Sequence, residues 1–163
     1  MSATQLLSKY LNDHLGGAHA GVEMARQLQK DVEGERDGEI LGRLAEEIEE
    51  DVETLRALLE MLGTTRNRVK QAAGWVAEKV QRVAVAEPVT GSADLTRLLK
   101  VESLALGVEG KLGLWLALME VTAASRKLAD IDLPRLVERA RDQRRRLETV
   151  RLDVARRTFT TVG

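Results

Sequence analysis

DLTRLLKVESLALGVEGKLGLWLALMEVTAASRK, residues 94–127, decides the fold. It is the longest apolar-rich segment of the chain. Read as a helix, its residues Leu95, Leu98, Glu102, Ala105, Glu109, Leu112, Leu116, Met119 and Ala123 step by three and four, the spacing of a stripe facing a bundle interior. The stripe predicts that the carboxylates of Glu102 and Glu109 point inward. Glu109, Lys111 and Glu120 break the apolar run well short of the ~20 residues a membrane span needs, so the segment reads as a core helix.

The same periodicity extends outward in both directions. A first helix is expected over residues 3–32, with Leu7, Leu11, His14, Ala18, Gly21, Ala25 and Leu28 inward. EGERDG, residues 33–38, is the connection. A second helix follows over residues 39–62 on the stripe Leu41, Leu44, Ile48, Asp51, Leu55, Leu58, Leu62, with Gly63 as its stop. So short a connection makes these two helices antiparallel neighbours. A shorter helix is expected over residues 65–85, ended by Pro88 and Gly91, with Trp75 as a plug for the bundle. Ser92 suits the N-cap of the central helix and Asp94 its positive end. Asp132 and Pro134 suit the start of a last helix reaching about residue 158, with Leu133, Leu136, Ala140, Gln143, Leu147, Val150 and Val154 inward. The plan is an all-α bundle of two helical hairpins, residues 1–163 forming one domain. The long crossover carries the chain back to the starting end, so that the helices on either side of it run parallel.

Composition excludes several alternatives. There is no cysteine, hence no disulfide and no thiolate metal site. With 25 basic and 26 acidic residues the net charge is −1, and no global field attracts nucleic acid or anionic lipid. Two prolines and four aromatic residues (Trp 2, Tyr 1, Phe 1) are too few for a sandwich or barrel. The N-terminus has neither a basic start nor an apolar core of the secretory type, so a cytoplasmic location is the expectation. Charge is segregated along the chain. Acidic residues dominate residues 31–60 and arginines residues 135–157, which lets Glu46, Glu50 and Glu53 pair with Arg144, Arg145 and Arg151 if the second and last helices are neighbours. An arginine face for nucleic acid is disfavoured because stacking aromatics are scarce. A lipid surface suits the apolar central helix less well than a patterned core does.

The acidic run Glu46, Glu47, Ile48, Glu49, Glu50, Asp51, Val52, Glu53, Thr54 and Leu55, leading through Leu59 to Leu62 and Gly63, and then Lys70 and Trp75 to Lys79, carries a resemblance. As architecture the chain resembles the ferritin-like superfamily, and within it small bacterial stress-response-type proteins. That resemblance implies a four-helix bundle with a crossover, self-association as a homodimer, and an ancestral di-iron centre. Such centres use a Glu on each of two helices and Glu-x-x-His on the other two. Here Glu47 falls at a Glu position and Glu50 where His is required. The last helix offers Glu138 with Arg141, or Arg139 with Asp142. Both histidines, His14 and His19, lie on the first helix. The resemblance therefore implies a degenerate centre without cofactor in a non-catalytic protein. The alternative is a carboxylate-rich iron or manganese site built from Glu47, Glu50, Asp51, Glu102 and Glu109 with His14. Register counting at about 1.5 Å per residue brings His14 level with Glu109, Asp51 beside Gln143 and Arg144, and Glu102 near Arg156 and Arg157. Gly107, Gly110 and Gly113 recur every third residue of the central helix, which predicts close approach of another backbone or, as the alternative, room for a flat ligand beside Trp115.

Overall fold

The computed structural model describes residues 1–32, 34–63, 91–122, 128 and 130–160. Four helices make up its regular structure: α1 (Ala3–Asp31), α2 (Arg36–Met61), α3 (Ala93–Thr122) and α4 (Leu133–Thr160), with no strand among the described residues. The expected crossover helix at residues 65–85, including Trp75, Glu78 and Lys79, lies outside the described residues.

The helix ends follow from local chemistry. Ser2 and Gln5 form a reciprocal capping box at the start of α1. The Ser92 hydroxyl accepts from the Leu95 amide at 3.3 Å, and the Asp132 carboxylate from the Arg135 amide at 3.1 Å, as the sequence indicates for α3 and α4. Gly63 follows α2 with φ 76°, a left-handed conformation that other residues adopt only with strain. α2 begins three residues earlier than its apolar pattern suggests, because Asp37 and Glu39 favour the positive end of the helix.

α1 packs along α2, α3 along α4, α1 against α3, and α2 approaches α4. Cross-helix contacts fix the directions. Arg26 bonds Glu49 between α1 and α2. Arg97 of α3 donates to the Asp31 carbonyl at the end of α1, and Arg157 at the end of α4 reaches Glu35 and Asp37 at the start of α2. Each of these pairs is antiparallel. The order is up, down, down, up, and α2 runs parallel to α3 as the crossover argument predicts.

Two apolar clusters fill the interior. One contains Leu11, Leu15, Leu55, Leu58, Leu118 and Leu136 around the fully buried Trp115. The other contains Ala25, Leu28, Leu44, Val101, Leu147 and Val150. Between them, at mid-height, lies a layer of polar side chains.

Every residue read as inward on α2 and α4 is buried except Leu62, which is half-buried, and Asp37, Ala45, Val52, Leu59 and Val137 are buried beside them. The face of α3 does not match the sequence reading. Its buried residues are Thr96, Leu98, Val101, Leu104, Val108, Lys111, Leu112, Leu114, Trp115 and Leu118. Glu102 and Glu109, expected inside, have side chains 42% and 55% exposed. Leu116 and Met119 of the expected stripe are exposed as well. The physical reason is that α3 is apolar on nearly every side, so an acid-free stripe running through Val101, Leu104, Val108 and Trp115 competes with the predicted one. The competing stripe buries no carboxylate, and an unpaired buried carboxylate is costly.

Candidate functional site

The mid-height layer is built from α2, α3 and α4. On α2, Glu47 and Asp51 stand one turn apart on the inward side, with Glu50 at its edge. On α4, Arg139, Gln143 and Arg146 occupy successive turns. α3 contributes Lys111, whose ammonium donates to Asp51 Oδ2 and to Gln143 Oε1, each at 2.5 Å. The Arg139 guanidinium donates to Asp51 Oδ1 and, at 2.5 Å, to Glu50 Oε2. Gln143 Nε2 donates to Glu47 Oε2 at 3.0 Å, and Arg146 donates to the same oxygen at 2.5 Å. Arg146 also meets Asp142 one turn away on its own helix.

Burial gives these contacts their weight. The Asp51 side chain is 1% exposed and that of Lys111 8%. Removal from water pulls the Lys111 ammonium below its ordinary value, and the neighbouring Asp51 carboxylate opposes that shift. Three carboxylates of α2 (Glu47, Glu50, Asp51) face three cations (Lys111, Arg139, Arg146), and Arg146 is shared with Asp142 of its own helix, so every acid of α2 in the layer is already matched by a cation. In the pairs that cross between the hairpins, the acids come from the first and the cations from the second.

The sequence-predicted site residues thus separate into two groups. Glu47, Glu50 and Asp51 are brought together, with Asp51 close to Gln143 as register counting indicates. Glu102 and Glu109 are elsewhere, on the outer side of α3. Glu109 pairs with Arg144 at 2.6 Å instead of meeting His14, and Glu102 approaches Arg151 at 3.6 Å rather than Arg156 or Arg157. The expected charge pairing of α2 with α4 exists with different partners: Glu47 takes Arg146 and Glu50 takes Arg139, while Glu53 pairs with Arg56 on its own helix. Among the described residues no group of three or more Asp, Glu and His side chains is arranged to hold a metal ion. A metal at Glu47, Glu50 and Asp51 would have to displace Lys111, Arg139 and Arg146 from oxygens they already occupy.

His14 lies on α1 beside Tyr10, the two rings meeting edge to face with centroids 4.6 Å apart. Burial lowers its pKa below 6.5, with Asp13 opposing. His19 is lowered in the same direction, first by burial and then by the Arg56 guanidinium, whose Nη2 is 3.2 Å from its Nε2. Tyr10 and His14 border a groove of about 460 Å³ between α1 and α3. Gly107 and Gly110 of α3 and Gly17 of α1 line it, Met24 and Leu104 are among its walls, and Lys111 forms part of its floor. Nothing lies within 4 Å of a Cβ built on Gly107, Gly110 or Gly113. The close backbone approach expected for these glycines is absent among the described residues. Trp115, expected beside any flat ligand, is buried in the core and does not border the groove.

The residues that sequence reasoning missed are Lys111, Arg139 and Arg146. Lys111 carried a signal: it is spaced one, three, four and seven residues before Leu112, Leu114, Trp115 and Leu118, all on the buried face. Arg139 and Arg146 flank Gln143 at four and three residues, which puts them at the edge of an identified inward position.

No family model matches the chain, and no curated protein or solved structure does either.

Proposed function

We propose that this is a ferritin-like helical-bundle protein, non-catalytic and self-associating, with a structural or stress-related role in the cytoplasm. In this reading the position of an ancestral di-iron centre is held by an ion-paired, hydrogen-bonded layer. The resemblance of the second helix and the up, down, down, up order support the family reading. The observation that carries the loss of the centre is Lys111, an ammonium placed between Asp51 and Gln143 with Arg139 and Arg146 on the neighbouring carboxylates. Cations in this layer supply the compensation that metal ions would otherwise give. The arginines of α4 are largely matched by acids of the same chain, which supports a role without nucleic acid. No described helix is long and apolar enough to cross a membrane.

The test is metal content after purification without chelator, followed by thermal melts with Fe²⁺, Mn²⁺ and Ca²⁺. Specific binding raises the melting temperature by mass action. We expect no stoichiometric metal and no shift. Stoichiometric iron or manganese that Asp51→Asn abolishes would move the protein to the metal-handling alternative. Sedimentation equilibrium tests self-association, and a monomer at high concentration would remove that part of the proposal.

A further inference from the structure

The groove between α1 and α3 has the attributes of a ligand site, independently of the polar layer beneath it. Its volume of about 460 Å³ lies in the range of cavities that enclose small molecules. Its walls are apolar, including Met24, Ile48, Leu104 and Leu114. Its rim carries Gly17, Gly107 and Gly110, all within helices, where glycine is destabilising relative to alanine. A Cβ at any of the three would enter empty space, so packing within the described residues does not require them. What they do provide, among the described residues, is a slot with a flat side of bare backbone.

The polar groups are asymmetrically placed. Tyr10, Asp13 and His14 gather on one turn of α1, Ser103 lies on α3, and the Lys111 ammonium is turned to Asp51 and Gln143. Asp13 is exposed at the groove and lies close enough to His14 for its carboxylate to oppose the effect of burial on that imidazole. Burial disfavours the charged form of the His14 imidazole. The charge offered to an occupant is therefore negative, beside an aromatic ring whose face attracts cations. The geometry points to a binding site for a planar organic cation, a flat aromatic ring system conjugated to an amino group that shares its positive charge. The ring lies in the slot over Gly107 and Gly110, and the amine reaches Asp13 and Tyr10.

The experiment is a fluorescence titration with 9-aminoacridine, a planar aromatic cation at pH 7, compared with the anionic dye 8-anilinonaphthalene-1-sulfonate. We expect saturable one-to-one binding of the cation only. Asp13→Asn should weaken it at least tenfold. Gly110→Leu should abolish it while leaving the melting temperature unchanged or raised, since the added side chain fills space that no described residue occupies. If Gly110→Leu fails to fold, the smaller Gly107→Ala/Gly110→Ala pair decides, with weakened binding expected. Absence of saturable binding, equal binding of the anionic dye, or binding that survives both Asp13→Asn and the glycine substitutions would overturn the site. A dimer dissociated by Gly110→Leu in sedimentation would also overturn it, because a second copy would then be the occupant.

Discussion

Lys111 illustrates how opposed terms settle a single side chain. Burial disfavours its ammonium, and Asp51 with Gln143 restores what water would have supplied. Breaking such a pair leaves a charge buried alone. Lys111→Ala is expected to lower the unfolding free energy by about 3 kcal/mol, the lower end of the usual range because Arg139 stays on Asp51. The double variant Lys111→Met/Asp51→Leu should recover most of that loss, and urea unfolding of both measures it. The histidines give a second prediction. His14 and His19 have folded-state pKa values below 6.5, so protons bind the unfolded chain more readily. Stability is then full above pH 6.5 and declines as pH falls through 6.5 toward the folded-state values. Melting curves from pH 8 to 5 should show this decline, and His14→Gln/His19→Gln should flatten it. Asp51 and Gln143 were legible at this scale as polar members of clear apolar stripes, whereas Glu102 and Glu109 were misplaced because their spacing fits a face that the helix turns outward.

At the scale of the element, α2 and α4 were readable because their non-core faces are densely charged, leaving one rotational solution. α3 offered two. Leu99, Leu106, Leu116, Met119 and Val121 are exposed in the structure although each would be at home in a core, so periodicity alone could not set the phase. The ends were legible where a cap exists, and Asp132→Ala should cost about 1 kcal/mol through the lost bond to the Arg135 amide. Gly113, outside the groove lining and with no described atom within 4 Å of a Cβ, should respond in the opposite direction. Gly113→Ala is expected to raise stability by about 1 kcal/mol in the same denaturant assay.

For the whole molecule, the segregation of charge visible in the sequence becomes an assembly rule. Glu47, Glu50 and Asp51 arrive with one hairpin, Lys111, Arg139 and Arg146 with the other, and the apolar clusters above and below close around them. That α2 and α4 are neighbours was expected from the ferritin-like order, and the segregation of charge suited that placement. The particular partners were not legible, since each depends on rotations of a few tens of degrees that long, flexible side chains absorb. The layer also has a kinetic side. When the hairpins meet, Lys111 and Asp51 must shed water before their bond is fully formed, which places a desolvation barrier on the docking step rather than on helix formation. Lys111→Met/Asp51→Leu should therefore refold several-fold faster than the parent in stopped-flow mixing, with unfolding accelerated at least as much, since its stability does not exceed the parent's. A core divided by charge slows its own closure, and in doing so gives hairpins in the wrong register time to separate.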